Sequence, residues 1–193
     1  MIRSFIAFLI AWLFNAIRFF PLAAPAAQTG RTVERFIRVG VSDSANTMRE
    51  FPVDSIGEVG LAYDPKDVTA FQDAGKNMLS GQPSAPIVLS GPFDNTAAAA
   101  VASSGAAPAL SGSYTVLAPI AGDNLPHTLY IAFGMRQYYT TGEPVFGLQR
   151  ASATNSGYTL TKFTVGGGKY TAEFDVMGGI APAWGAALLT AGS

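Results

Sequence analysis

The chain has no cysteine and only one histidine, His127. The first absence excludes a disulfide framework and any thiolate metal site, and the second leaves a zinc centre without ligands. Charge is also scarce. Charged residues make up 13% of the 193, against about 25% in an ordinary soluble domain. A chain so poor in charge must hide much of its surface in a membrane, an assembly or a large partner. No apolar run is long: Phe5 to Phe14 is about half of the roughly 20 residues that a spanning helix requires.

What is present is apolar and punctuated. Apolar residues reach 49%, and 21 glycines and 12 prolines fall between short apolar runs. That pattern favours an all-β body with many turns. The length fits one domain with a real core plus a terminal segment. Charge is uneven along the chain. Residues 1–30 carry +2 and the remainder −3, and within the remainder the block Glu50 to Asp94 carries −5. Such a block is a poor nucleic-acid binder, because nothing in it neutralises phosphates.

Residues 1–30 form a compositional unit of their own. Arg3 precedes the apolar run, Asn15 and Arg18 interrupt it, and Pro21 ends any helix. Three readings fit: a secretory signal or signal anchor with Ala24-Pro25-Ala26 as cleavage site, an upstream extension foreign to the working protein, or an apolar helix that docks on an assembly or a bilayer surface. The second domain is then 31–193.

Within it, Thr32–Val41 reads as a first strand, and Val59, Leu61 and Tyr63 share one face of another at period two. Asp64-Pro65 signals a turn. The segment after it is expected to be extended, with a short helical turn near Asp73 to Met78. Ile87–Leu89 reads as a buried strand that stops at a corner, Ser90-Gly91-Pro92. The alanine tract Thr96–Ala102 has strong helix propensity, with Asp94 or Asn95 as N-cap and Gly105 to close it. Strand-like runs follow from Ser113, Thr128, Val145, Tyr158 and Lys169, the last two joined by a hairpin at Gly166-Gly167-Gly168. In the penultimate run Tyr158, Leu160 and Lys162 are expected on one face, and Thr159, Thr161 and Phe163 on the other. The expected fold is mainly β: a β-sandwich or flattened barrel of about eight strands with one short Ala-rich helix, plus an N-terminal apolar helix.

Chemistry is hard to find. A Ser-His-Asp site would need His127, with Asp123 four residues before it. No Gly-x-Ser-x-Gly elbow exists, and Pro126 places the histidine in a turn, so it reads as a surface or loop residue. "VGGGKYT" lacks phosphate-loop spacing and reads as a hairpin turn. Asp64, Asp67 and Asp73 lack the Asp-x-Asp-x-Asp-Gly pattern of a calcium loop, so they read as solvated or assembly-facing. Tyr138-Tyr139 beside Arg136 reads as an interface pair rather than a stacking platform. With so thin an ionisable inventory no catalytic, metal or cofactor-binding residue is nominated, and an enzyme is not expected.

The stretch Ala62 to Thr96 resembles the major tail tube protein of long-tailed, siphovirus-type bacteriophages. The likeness lies in Asp67-Val68-Thr69 followed by the aromatic Phe71, in Asp73 and Lys76, and in Leu89-Ser90-Gly91-Pro92-Phe93-Asp94. The final hairpin, with Phe174, Val176 and Gly178, resembles the family's late hairpin. The resemblance implies a structural β-sandwich subunit with one helix, assembling into hexameric rings that stack as a tube for DNA. It implies self-association, contacts with tape measure and terminator proteins, DNA that passes without specific binding, and a place in the virion tail after assembly in the host cytoplasm. Asp67, Val68, Thr69, Phe71, Ser90, Gly91, Phe93 and Asp94 are then assembly residues. Glu58, Asp64 and Asp67 are candidate lumen-facing acids, since a negative wall repels phosphates. Residues 1–30 lie outside the family pattern. If they direct export, the alternative is a secreted or periplasmic β-sandwich binding protein, and membrane contact would run through them alone.

Overall fold

Alternation of side chains along extended backbone decides the architecture. In a computed structural model, which describes residues 36–63, 65–70, 75, 78–79, 83–135 and 138–192, strand β1 (Ile37–Ser42) turns Val39 and Val41 to one side and Arg38 and Gly40 to the other. Strand β2 (Met48–Glu50) pairs with it antiparallel on one flank. β9 (Leu129–Phe133) pairs on the other flank and is followed outward by β10 (Val145–Leu148) and β13 (Ala183–Gly185). The five-stranded sheet therefore runs β13-β10-β9-β1-β2. The four-stranded sheet runs β11-β12-β8-β3, from β11 (Gly157–Gly166), β12 (Lys169–Met177), β8 (Ile87–Pro92) and β3 (Ser55–Ile56).

The two sheets bury one apolar interior between them. Val39, Val41, Leu129, Ile131, Phe146 and Leu148 come from the first sheet, and Ile87, Leu89, Tyr158, Leu160, Tyr170, Ala172 and Phe174 from the second. Full burial of each large apolar side chain is worth about 1.5–3 kcal/mol, so this interior is the main source of cohesion. Among the described residues the fold is thus mainly β, with two principal antiparallel sheets and one short helix. The helix is not the expected one. The alanine tract Thr96–Ala102 is not helical, and the segment expected to be a strand, Ser113–Ile120, forms α1 (Ser113–Leu117) and a 3₁₀ turn (Ala118–Ile120). Burial explains both departures. Val116, Leu117 and Ile120 sit at helical spacing and pack into the common interior. An alanine run has no such stripe, and a helix of that length does not sustain itself in water.

Three further points of register differ from expectation or sharpen it. The turn between β11 and β12 is Gly167-Gly168 with φ of 60° and 76°, the left-handed pair that a tight hairpin demands. β11 does not alternate to its end: a bulge between Leu160 and Lys162 shifts the register, leaving Lys162 exposed and Phe163 packed on the interior beside Tyr170. Of the expected turn at Asp64-Pro65, Asp64 lies outside the described residues and Pro65 stands between β4 (Ala62–Tyr63) and β5 (Lys66–Asp67). Met78, expected in a helical turn, opens β6 (Met78–Leu79), while Asp73, Lys76 and the N-terminal apolar helix lie outside the described residues. Among the described residues no helix is long and apolar enough to cross a membrane.

Burial raises the phenol pKa of Tyr130, Tyr158 and Tyr170 far above the usual range, and the charges of Glu50, Asp175 and Asp54 respectively push the same way. A folded-state pKa above the unfolded value means full stability below the ordinary phenol pKa near 10 and its progressive loss as pH rises beyond it. The expected outcome of an alkaline titration is that tyrosinate absorbance from these residues appears together with loss of far-ultraviolet circular dichroism. Ionisation of all seven tyrosines with the β signal intact would contradict it.

Candidate functional site

The residues singled out from the sequence fall into two groups, and the ribbon that leaves the second sheet between β3 and β8 explains why. β3 pairs with β8 at Ser55–Ser90 and Ile56–Leu89. Further out, β4 pairs with β7 (Pro83–Ser84) and β5 pairs with β6. All these pairings keep one register to within a residue, so the described parts of 55–67 and 78–90 form one interrupted two-stranded ribbon. Between the Ile56–Leu89 and Asp67–Met78 pairs, a straight ribbon would extend about 35 Å at roughly 3.3 Å per residue. Its base is anchored, because Val59 and Leu61 pack partly on the interior. Its outer part is not: Ala62, Tyr63 and residues 65–70 are all exposed, Tyr63 at 51% and Val68 at 47%.

Asp67-Val68-Thr69 shapes this arm. The Asp67 carboxylate accepts hydrogen bonds from the Thr69 amide (3.0 Å) and hydroxyl (2.6 Å), which turns the chain just after β5. Glu58 is exposed on the same ribbon. Asp64 and Phe71 lie outside the described residues.

Ser90, Gly91, Phe93 and Asp94 form the second group: Ser90 and Gly91 continue β8, paired with Thr171 and Tyr170 of β12, instead of ending it as expected, and the corner follows at Phe93 and Asp94. Gly91 is there for close approach: a Cβ would lie 2.6 Å from the Pro52 carbonyl oxygen. The Asp94 side chain does not cap an alanine helix. It accepts from the Thr96 amide at 3.0 Å, while its carbonyl accepts from the Tyr114 amide of α1 at 2.9 Å. Ser113, fully buried, donates to the Pro92 carbonyl (2.8 Å) and accepts from the Asp94 amide (3.2 Å). Phe93 and Tyr114 meet edge-to-face at 5.6 Å. The corner thus receives a helix that comes later in the sequence.

A third group was not anticipated. On the outer face of the first sheet Tyr130, Gly40 and Glu50 stand in one cross-strand row. Lacking a Cβ, Gly40 lets the Tyr130 ring lie across β1, where a Cβ would come within 2.5 Å of the ring. The Tyr130 hydroxyl donates to Glu50 Oε1 at 2.6 Å, and Arg38 donates to both carboxylate oxygens through Nε (2.7 Å) and Nη2 (2.9 Å). Arg38 and Glu50 are 4% and 0% exposed. The signal was present in "RVGV", where a charge and a glycine share the face opposite two valines.

His127 is buried rather than exposed. Nε2 faces Asp123 Oδ2 at 3.0 Å and Nδ1 faces the Ser42 carbonyl oxygen at 2.9 Å. Ser42 Oγ stands 3.5 Å from Nδ1 but is itself buried and accepts from the Thr128 amide at 3.0 Å. The trio has the composition of a nucleophilic site, yet its hydroxyl is sealed from substrate, and what it does is pin the end of β1 to the start of β9. Among the described residues no cluster of three acids or histidines is placed to hold a metal ion. Two shallow hollows of about 300 Å³ each are lined mainly by apolar residues: one by β1, residues 51–56 and Leu110, the other by β10 and residues around Trp184.

No family model and no curated protein matches the chain. Solved structures with a similar chain path include an extracellular contractile injection system, the PVC sheath-tube complex in the extended state (11% identity, 83% of this chain and 95% of that one, TM-score 0.46). Another is the anti-feeding prophage cap, a tube-terminating cap (11% identity, 81% and 92%, TM-score 0.48). A third is the PVC sheath/tube terminator in the extended state (13% identity, 81% and 97%, TM-score 0.44).

Ser113→Ala removes one side chain that serves two backbone groups of the corner. The expected outcome is a loss of about 1–3 kcal/mol of unfolding free energy, the penalty for buried groups left unpaired, measured by urea denaturation. A change within about 0.5 kcal/mol would show that the corner does not depend on it.

Proposed function

We propose that the chain is a structural subunit of a phage-tail-type tube, assembling with copies of itself as stacked hexameric rings around a conduit for DNA. The observation that carries this reading is the arm. A two-stranded ribbon is marginal in water by itself, and this one presents Tyr63 and Val68 to solvent beyond its anchored base. Such an arm gains its cohesion by lying on another surface, and the low charge of the chain suits extensive burial of that kind. An arm and the surface that takes it are different patches. Passed from each copy to the next in one direction, such an arm makes a head-to-tail contact, which closes into rings or propagates axially.

The same segment carries the residues through which the sequence resembles tail tube proteins, and that resemblance supports a tube rather than another assembly. It also supports tape measure and terminator proteins as neighbours in the tail. The acidic block from Glu50 to Asp94 fits a wall along which phosphates slide without adhering.

The arm is tested by Tyr63→Asp combined with Val68→Asp. Both side chains are exposed, so the subunit is expected to keep its circular dichroism and melting temperature while rings and tubes disappear from negative-stain micrographs. Assembly equal to that of the unaltered chain would remove the arm from this role. Reversal of Glu58, Asp64 and Asp67 to lysine tests the wall: slower DNA ejection from intact tails is expected, and unchanged ejection would exclude these acids from the lumen.

A further inference from the structure

The alanine-rich segment crosses the outer face of the first sheet in a manner unlike any other part of the fold. No residue between Ala97 and Ala109 belongs to either apolar cluster of the described residues. Its side chains are mostly methyl groups, which bury little area, and from Asn95 to Gly122 the chain carries no charge. It is held by hydrogen bonds. Arg38 Nη2 donates to the Ala102 carbonyl at 2.8 Å and Arg49 Nη1 to the Ala99 carbonyl at 3.0 Å. Ser111 Oγ accepts from the Ala99 amide at 2.9 Å, and the Gly105 amide donates to the Tyr139 carbonyl at 2.8 Å. Both ends are fixed independently. Thr96 is tied to Gly112 and Thr115, and the Ser111 amide donates to the Glu50 carbonyl at 2.7 Å.

We propose that Ala97–Ala109 is a releasable strap, latched by Arg38, and that the outer face of the first sheet therefore has a covered and an uncovered state. The latch has two parts. Glu50 grips Arg38 on two nitrogens and so aims Nη2 at Ala102; Glu50 is the positioning residue and Arg38 the contact. The energetics favour opening over unfolding. Burying an ion pair carries a desolvation penalty that its mutual attraction only partly offsets, and among the described residues the buried Arg38 Nη1 has no hydrogen-bond partner. Lifting the strap rehydrates the pair and leaves the apolar interior on the other side of the sheet undisturbed. The exposed face would then present the Arg38–Glu50 pair and the Tyr130 phenol. Segments with few buried apolar contacts open locally at lower free energy than core strands.

The test is amide hydrogen exchange of the full chain, comparing peptides within Ala97–Ala109 with those of β9 and β12. In the unaltered chain the strap is expected to exchange faster than β9. In Arg38→Lys, which cannot hold Glu50 and the Ala102 carbonyl in the same forked geometry, strap exchange should rise by about tenfold or more while β9 and β12 stay unchanged. If that variant is destabilised throughout, the paired variant Arg38→Met with Glu50→Met removes both charges together and should still release the strap relative to β12, the reference strand here because the β9 residue Tyr130 loses its bond to Glu50. Strap protection equal to that of β9 in the unaltered chain, or acceleration shared equally by strap and β12 in the paired variant, would overturn the proposal.

Discussion

The Glu50 carboxylate, with no exposure to solvent, is the constraint around which one side of the molecule is arranged. A buried anion survives only if its oxygens are satisfied. Here Arg38 comes from the neighbouring strand and the Tyr130 hydroxyl from one strand further, reached because Gly40 offers no side chain in between. The same glutamate's backbone receives Ser111, which fixes where the chain returns before α1. One acid thereby couples three strands, the alanine segment and the entry to the helix.

That arrangement gives the two sheets different characters. The first is covered on both faces: by the apolar interior on one side, and on the other by the alanine segment and by Leu188 and Leu189, which pack with Tyr139 and Val145. Among the described residues the second sheet is covered on one face. Val88 and Val165 are exposed, and the alternation of β12 between buried and accessible residues is that of a strand with one solvated side. The arm springs from this second, open sheet. The features that suit contact with neighbours are thus segregated from the polar network, and the sandwich between them is the rigid body that both share.

Much of this was legible in the sequence. Runs with a clean period of two, such as Lys169–Met177, became strands where expected, and the triple glycine became the hairpin. Although the strand runs on through Ser90-Gly91-Pro92 instead of stopping there, the corner at Phe93-Asp94 was announced by nearby turn residues. Its partner was not, because the Ser113 hydroxyl acts on a segment nineteen residues earlier and no local pattern announces that. Alanine propensity misled for a physical reason: propensity is a small term per residue, and Thr96–Ala102 had arginines waiting to take its carbonyls, whereas Ser113–Ile120 had an interior to fill. His127 was misplaced by Pro126, which marks a turn but says nothing about what packs over it. For the arm, the sequence singled out Asp67, Val68 and Thr69 as a local motif, but their exposure and the pairing of β5 with β6 are properties of the fold alone.

The constant pairing along the ribbon has a consequence for how such chains can diverge. Among the described residues the strands of the ribbon pair with each other beyond Leu61, so residues gained or lost in matched pairs, one on each side, would alter its reach while the pairing of the two sheets stayed as it was. Length in this element is a dimension along which related molecules are free to vary; the ribbon already carries one unmatched residue on each strand, between Ile56 and Ala62 and between Leu79 and Pro83, and a further one left uncompensated would turn the outer side chains over to the opposite side.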